Sequence, residues 1–307
     1  SAVTGAGVLQ LEAGSSVLPA ATIDGRASFS NLLLAGGRVA GTHTLDGQIR
    51  WTLGALGSGG TTTIAPTATL LLENGNSNHT HAGRTLINQG TVQWTAGGVS
   101  GGSTGGLASS ITNAGTWLDD RGAVNSCINH GNALPATTGV FTNTGTYRKT
   151  GTGTTTFLNQ FLDNSGRLEL AEGALVLNGS GFNRAGGVID IAAGRTLTMF
   201  GSDFRFEDGS AVTGAGVLQL VAGHSVLPAA TIDGRASFSN LLLAGGRVAG
   251  THTLDGRIHW ALGALGSGGT TTIAPTATLV LENINSNHDH AGRTLINQGT
   301  VQWTGDD

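Results

Sequence analysis

The chain has 307 residues, of which 52 are glycine, and formal charge is scarce, with 15 Lys or Arg residues and 19 Asp or Glu residues. Glycine is therefore far more frequent, and charge far rarer, than in an average globular domain. Five prolines and the lack of a Gly-X-Y period exclude collagen, while alternating Val, Leu and Ile argue against a disordered chain.

The few charged and reactive residues limit the partners and cofactors that we expect. Lys149 is the single lysine and the arginines are scattered, so the sequence lacks the clustered positive charge that a nucleic-acid partner needs. Cys127 is the single cysteine, which permits neither an internal disulfide nor a pair of cysteine ligands for zinc. No apolar run approaches the roughly 18 residues of a membrane helix. We expect no cofactor, no nucleic acid and no membrane span.

A long repeat divides the chain. Residues 1–95 recur at 210–304, and only eight of these positions differ between the two copies. The sequence thus predicts one complete repeat unit over 1–209 and the first half of a near-identical unit over 210–307. Phe204 and Phe206 keep the alternation of a strand close to this boundary, so we expect the second unit to stack continuously on the first without a flexible linker.

A shorter pattern runs through the unit: a glycine, any residue, and then two apolar residues separated by one variable residue. In chain order the instances are Gly7 with Leu9 and Leu11, Gly90 with Val92 and Trp94, Gly166 with Leu168 and Leu170, Gly187 with Ile189 and Ile191, and Gly216 with Leu218 and Leu220. Looser instances follow Gly115 and Gly145, and a second glycine (Gly14, Gly173, Gly194 or Gly223) opens another strand seven residues after several of the first. Each repeat therefore contains at least two short strands.

These strands predict a coil. Alternation places Leu9, Leu11, Leu168, Leu170, Ile189 and Ile191 inside and their polar neighbours outside. Glycine between the strands supplies the positive φ of a sharp corner. The anchoring glycines Gly145, Gly166 and Gly187 are evenly spaced. The sequence therefore predicts an all-β fold, a parallel β-helix with about 21 residues per rung.

An asparagine recurs two residues before the anchoring glycine. These residues are Asn88, Asn113, Asn143, Asn164 and Asn297. In a registered stack they would lie above one another as an amide ladder. Alternatively, asparagine stands there because it tolerates the left-handed conformation of turns.

One step is longer than the others. Gly145 lies farther from Gly115 than Gly166 lies from Gly145, and the excess falls in residues 122–139. Extra residues cannot be absorbed in a registered stack, so we expect 122–139, with Cys127 and Pro135, to leave the coil as an exposed loop. The glycine-rich stretch 97–106 predicts a smaller irregularity.

The pattern resembles the β-solenoid passenger regions of bacterial surface proteins, the filamentous haemagglutinin-like and autotransporter-type adhesins. The phrases that carry the resemblance are LINQGTVQW, ITNAGTWL, VFTNTGTY, LDNSGRLEL and GVIDIAAGRTLTM. The resemblance implies a right-handed β-helix, secreted or on the bacterial cell surface, that projects a binding region. We therefore expect a non-enzymatic stalk or fibre module, which would bind a cell-surface or glycan ligand and associate head to tail into a filament.

The competing interpretation is a carbohydrate-active enzyme, a polysaccharide lyase or glycoside hydrolase, because many of these use a β-helix. Asp119 with Asp120, His130 with Gly131, and Arg148 with Lys149 resemble the paired-Asp, Gly-His-Gly and Arg-x-Lys elements of polygalacturonases. The match is incomplete, because Asn129 stands where the first glycine of Gly-His-Gly would be. We assign no catalytic residue.

Three other features have a functional and a structural interpretation. His79 with His81, and His288 with His290, share a strand face as metal ligands would, although two ligands do not complete a zinc site and exposed polar residues would give the same pattern. The threonine runs 61–69 and 150–157 suggest an ice-binding face, but outward β-branched strand residues explain them better. Trp51, Trp94 and Trp117 would stack on sugars, but they fall on apolar positions that favour the core.

Overall fold

The computed structural model describes residues 2–12, 21–57, 59–74, 78–102, 107–129, 139–200, 203–221, 230–266, 268–282, 288–290 and 292–304. These residues form two compact units, Ser1–Phe161 and Leu162–Asp307. Within the described ranges each unit consists of β-strands joined by turns. Gly14, Gly223, His130 and Pro135 lie outside those ranges.

The first unit contains seventeen strands in its described part. They are β1 (Ala2–Val3), β2 (Leu9–Glu12), β3 (Ala21–Thr22), β4 (Gly25–Ala40), β5 (His43–Leu56), β6 (Thr61–Ile64), β7 (Thr69–Leu72), β8 (Asn78–Thr80), β9 (Thr85–Asn88), β10 (Thr91–Trp94), β11 (Gly98–Ser100), β12 (Ser110–Asn113), β13 (Thr116–Asp119), β14 (Ser126–Asn129), β15 (Val140–Asn143), β16 (Thr146–Lys149) and β17 (Thr154–Leu158).

The strands of the second unit continue the numbering. They are β18 (Phe161–Asn164), β19 (Arg167–Leu170), β20 (Ala174–Asn178), β21 (Gly181–Asn183), β22 (Val188–Ile191), β23 (Thr196–Met199), β24 (Phe204–Phe206), β25 (Ala211–Thr213), β26 (Val217–Val221), β27 (Ala230–Ile232), β28 (Gly234–Ala249), β29 (His252–Leu265), β30 (Thr270–Ile273), β31 (Thr278–Leu281), β32 (Thr294–Asn297) and β33 (Thr300–Trp303).

Each unit is a parallel β-solenoid in which most turns have three strands, whereas β4, β5, β28 and β29 each run a whole turn as one long strand. In the first unit β9, β10 and β11 form one turn, and they pair in parallel with β12, β13 and β14 of the next. In the second unit β22 pairs with β19 below it and β25 above it. Leu168 pairs with Ile189, which confirms the coil and its length of about 21 residues per turn.

Alternation places the apolar residues inside. Leu168, Leu170, Ile189 and Ile191 are fully buried, as the pattern predicts. Leu9 and Leu11 are only half-buried. The reason is that β2 pairs with β4 alone among the described strands, whereas β26, its counterpart in the repeat, pairs with both β23 and β28.

The anchoring glycines and the glycines that precede the second strand have different structural roles. Gly173 and Gly194, which precede the second strand of a turn, have positive φ values of 67° and 72°, as predicted. Gly115, an anchoring glycine, has no positive φ. A Cβ there would instead overlap the carbonyl oxygen of Gly90 in the preceding turn. The anchoring position requires glycine because successive turns approach closely.

The predicted loop over 122–139 is wrong in part. Residues 126–129 form β14, which pairs with β11 on one side and β17 on the other. Ile128 is fully buried in this strand, and Cys127 beside it is half-buried. The sequence pattern missed β14 because it has a single inward apolar residue. In the glycine-rich stretch 97–106, residues 98–100 likewise form β11.

The boundary of the sequence repeat, at 209 and 210, lies inside the second unit. There β24 pairs with β27, β25 pairs with β28, and β26 pairs with β28. β24 belongs to the first sequence copy, and the strands from β25 onward belong to the second. The repeat boundary and the boundary between compact units are therefore different, and the division into 1–209 and 210–307 stays a prediction.

Candidate functional site

The alternation of β13 and β16 separates the acids and bases of the enzyme interpretation. Asp119 and Lys149 point inward and have no exposed surface, whereas Asp120 and Arg148 are exposed. His130 lies outside the described residues. The paired residues Asp119 with Asp120, and Arg148 with Lys149, therefore do not form one outward face. The structure instead brings Asp119 and Lys149 together inside the coil.

Asp119 and Lys149 are register partners at the ends of the neighbouring strands β13 and β16. The Lys149 Nζ lies 3.6 Å from the Asp119 Oδ2, which is ion-pair distance but beyond a hydrogen bond. The Tyr147 hydroxyl donates to the same Oδ2 at 2.8 Å, and the Thr155 hydroxyl donates to it at 2.5 Å. Among the described residues, the Lys149 Nζ and the Asp119 Oδ1 have no hydrogen-bond partner.

A second buried cation lies in the same region. Arg121 is 5% exposed, and its guanidinium carbon lies 5.4 Å from the centre of the Trp94 ring. Its Nε finds no hydrogen-bond partner in the part of the chain that the structure describes. Burial lowers the pKa of the Lys149 amine, and the charge of Arg121 lowers it further, while Asp119 opposes this. The environment thus favours the neutral amine more than water does.

Aromatic rings cover the cluster. Phe141, Tyr147 and Phe157 meet one another edge to face with centres 5.2 to 5.9 Å apart, and Trp117 packs on Phe141 at 5.5 Å. Burial is the main reason why the pKa of Tyr147 lies well above its ordinary value, and the charge of Asp119 adds to the effect. The Tyr147 hydroxyl therefore stays protonated and acts as a donor. We name Asp119, Arg121, Tyr147, Lys149 and Thr155 the acid–amine cluster.

His79 and His81 are both buried. The ring nitrogens of His79 face carbonyl oxygens, with Nδ1 3.2 Å from that of Gly98 and Nε2 2.8 Å from that of Trp51. Burial lowers the pKa of His79, so the neutral ring donates its one N–H to a carbonyl oxygen and its other nitrogen also faces a carbonyl oxygen instead of an open ligand position. In the second copy His288 contacts the Trp260 carbonyl at 2.7 Å, and His290 is exposed. The described residues contain no group of three or more metal-ligating side chains.

A chain of hydrogen bonds that the sequence analysis missed joins His43, Thr62 and Arg84. Arg84 donates to the Thr62 hydroxyl at 2.7 Å, and this hydroxyl lies 3.0 Å from the His43 Nε2. The other donors of Arg84 reach the carbonyl oxygens of Gly57 and Gly41. Arg84 is almost fully buried although its hydrogen bonds go to neutral oxygens. In the sequence, only the recurrence of these residues as His252, Thr271 and Arg293 pointed to this group, and the second copy makes the same hydrogen bonds.

The outer faces of the turns carry threonine. Thr69, Thr91, Thr116 and Thr146 lie in register on successive turns of the first unit, each half-exposed. Within the run 61–69, Thr61 and Thr63 face outward and Thr62 faces inward. These positions fit the interpretation of threonine as a β-branched strand residue. Trp51, Trp94 and Trp117 are buried, which confirms their assignment to the core.

Three comparisons with known proteins found no match. No protein-family model, no curated protein and no solved structure matches the chain. Among the described residues there is no helix that is long and apolar enough to cross a membrane.

Proposed function

We propose that the chain is a non-enzymatic structural and adhesive module, part of the stalk or fibre of a large extracellular bacterial repeat protein. The observation that carries the proposal is the placement of the acids and bases: Asp119 and Lys149, one member of each candidate pair, point into the coil with no exposed surface. A polysaccharide cannot reach groups in that position.

The contacts between turns support a structural role. Surface ion pairs join neighbouring turns, such as Arg50 with Glu73 at 2.7 Å and Arg184 with both Asp163 and Glu207 at 2.7 Å. Each exposed pair contributes little alone, at most about 1 kcal/mol. The resemblance to filamentous haemagglutinin-like and autotransporter-type passenger regions supports the extracellular or cell-surface location and a right-handed coil, the hand usual for parallel strand connections.

Incubation of the protein with acidic and neutral polysaccharides tests the absence of catalysis. We expect no new reducing ends and no unsaturated sugars above those formed by a heat-unfolded sample. Cleavage that the folded protein catalyses would favour the β-helix carbohydrate-active enzyme and overturn the proposal. A glycan array with the same protein tests the adhesive part, for which we expect binding to a surface polysaccharide without turnover.

Head-to-tail association with a second copy of the chain is the partner contact that we propose, because the strand edges of a parallel solenoid turn can pair with a further turn. The last described turn of the second unit leaves Trp303 73% and Val301 38% exposed beside a pocket of about 480 Å³, which Trp260, Leu279, His288 and His290 also line. In the first unit the equivalent residues Trp94 and Val92 are fully buried, because β13 covers β10.

We expect this contact to be head to tail, so that the turns of two copies stack in the same direction as the turns within one chain. Sedimentation velocity over a range of concentrations tests the contact. Trp303→Arg should weaken self-association at least tenfold, whereas Leu107→Arg, a charge placed at another exposed apolar residue, should not. Equal association of both variants would contradict head-to-tail contact through this face.

A further inference from the structure

The acid–amine cluster has a feature that the structural role does not explain. A lysine and an aspartate face each other with no exposed surface, and among the described residues the nitrogen of one and an oxygen of the other have no hydrogen-bond partner. A stable buried ion pair normally satisfies all of its donors and acceptors, because each unpaired group costs free energy. The pair is therefore poorly arranged as a salt bridge.

The same arrangement suits the formation of a bond. The Lys149 Nζ lies 3.6 Å from the Asp119 Oδ2, an oxygen bonded to the Cγ that the amine would attack. Strand pairing holds the two residues in register, so the reacting groups meet at a high effective concentration. We propose that Asp119 and Lys149 react to form an intramolecular isopeptide bond between two successive turns of the coil.

The atoms balance without any co-reactant. A proton passes from the ammonium of Lys149 to the carboxylate of Asp119, which leaves a neutral amine and a neutral acid. The nitrogen then attacks the Asp119 Cγ, a C–N bond forms, and the Cγ–Oδ1 bond breaks. Oδ1 leaves as water with two of the three ammonium protons, and the amide nitrogen keeps the third. The charges of the pair cancel in both reactant and product.

The neighbours of the pair have definite roles in this reaction. Tyr147 and Thr155 both donate to Oδ2, so they stabilise the negative charge that develops on this oxygen and then the amide carbonyl that it becomes. Oδ1, the oxygen that leaves, is the one without a hydrogen bond from the described residues. Burial among Phe141, Phe157 and Trp117 excludes the water that would stabilise the ion pair. Tyr147 and Thr155 are thus positioning residues for the bond.

The bond would tie together two turns that a long stretch of chain connects. Asp119 and Lys149 are register partners, and they lie farther apart in sequence than Val92 and Trp117, the register partners of the preceding step. A covalent link across a long step limits the freedom of the unfolded chain, as a disulfide does. It would do so in a chain whose single cysteine cannot form an internal disulfide.

The single lysine makes the test clean. The full chain is purified, denatured and measured by intact-mass spectrometry, and we expect a mass lower than that of the sequence by one water. A reagent for primary amines should then label the denatured chain at no ε-amine, and a tryptic digest should yield a branched peptide that contains both Asp119 and Lys149. The unmodified mass with a labelled Lys149 would overturn the proposal.

Variants separate this bond from other losses of water. Lys149→Arg and Asp119→Ala should both show the full mass of their sequences. Tyr147→Phe should slow the reaction at least tenfold in freshly refolded protein, as seen in the mass over time. A loss of water that persists in Lys149→Arg would place the dehydration elsewhere and contradict the proposal. The wild-type measurement needs no variant to fold.

Discussion

At the scale of single residues, the glycines of the coil show how tightly its turns approach. Gly115 lies between β12 and β13, and Gly122 lies between β13 and β14. A Cβ on Gly115 would overlap the Gly90 carbonyl, whereas a Cβ on Gly122 would meet nothing within 4 Å. Neither glycine has the positive φ that would strain a larger residue. The space beside the backbone therefore decides which of them can change.

We expect Gly115→Ala to lower the free energy of unfolding by about 1 to 3 kcal/mol, since the methyl group must push two turns apart. Gly122→Ala, the matched control, should change it by less than about 0.5 kcal/mol. Denaturant unfolding followed by circular dichroism measures both. Equal effects of the two substitutions would show that turn-to-turn contact is not what the anchoring glycine serves.

The buried side chain of His252 is also governed by its immediate neighbours. Arg293 donates to the Thr271 hydroxyl, which leaves that hydroxyl to donate to the His252 Nε2 at 3.0 Å. The other ring nitrogen, Nδ1, donates to the Ile232 carbonyl. His252 is therefore held neutral. Burial first, and then the charge of Arg293, lower its pKa to about 4.

This shift predicts a loss of stability in acid. In the unfolded chain His252 titrates near its ordinary pKa of 6.5 and in the folded chain near 4, so the unfolded state binds more protons between these values. Stability should be full above pH 6.5 and fall as the pH drops toward 4, by up to about 3 kcal/mol for this residue. Denaturant unfolding at several pH values checks this, and His252→Gln should make the curve flatter. An unchanged curve would show that His252 is not the source.

At the scale of elements, the inner asparagines join one turn to the next. Asn88 donates to the Asn113 Oδ1 at 2.7 Å, and Asn113 donates to the Asn143 Oδ1 at 2.8 Å. In the second unit Asn164 donates to Asn183 at 2.7 Å. None of these residues has positive φ, which confirms the ladder over the alternative of turn asparagines. Asn297 does not extend the pattern among the described residues, because it is exposed and bonds the local backbone at Gly299.

The duplication supplies a matched pair for testing the ladder. Asn88 and Asn297 have the same neighbours in sequence, but only Asn88 is buried. Asn88→Ala leaves the Asn113 Oδ1 and the Gly90 amide without their partner, so it should cost about 2 to 4 kcal/mol of unfolding free energy. Asn297→Ala should cost less than about 0.5 kcal/mol. Similar costs at both positions would assign the effect to the local turn instead of the ladder.

The same elements show how far the sequence could predict the fold. Two strands of each turn follow from alternation, because residues such as Leu168 and Leu170 repeat the inward apolar position. In the turns that contain β11 and β14 the third strand does not, since each of these strands offers one inward apolar residue, Val99 or Ile128. The acid–amine cluster was also missed: Asp119 and Lys149 are adjacent to other charges in sequence, and only the register of β13 and β16 shows that they meet inside.

At the scale of the whole molecule, the structure shows how the two sequence copies meet. Within the second unit, strand pairing crosses the boundary between the copies at residues 209 and 210, because Phe204 and Phe206 of the first copy pair with Ala230 and Ile232 of the second. The Gly209 amide donates to the Arg235 carbonyl at 3.0 Å, so the backbone at the boundary is itself bonded to the next turn. The first strands of the second copy therefore pair with the last turn of the first copy.

This arrangement predicts slow hydrogen exchange across the repeat boundary. The amides of β24, β25 and β26 are paired with turns on both sides, so their exchange requires those turns to separate. Mass spectrometry of peptides covering residues 204–220 should show protection equal to that of β22. β33 provides the control, because among the described strands it pairs only with β31 and its residues are exposed, and it should exchange faster. Rapid exchange at 204–220, with β22 protected, would mean that the two copies are joined by a hinge and fold separately.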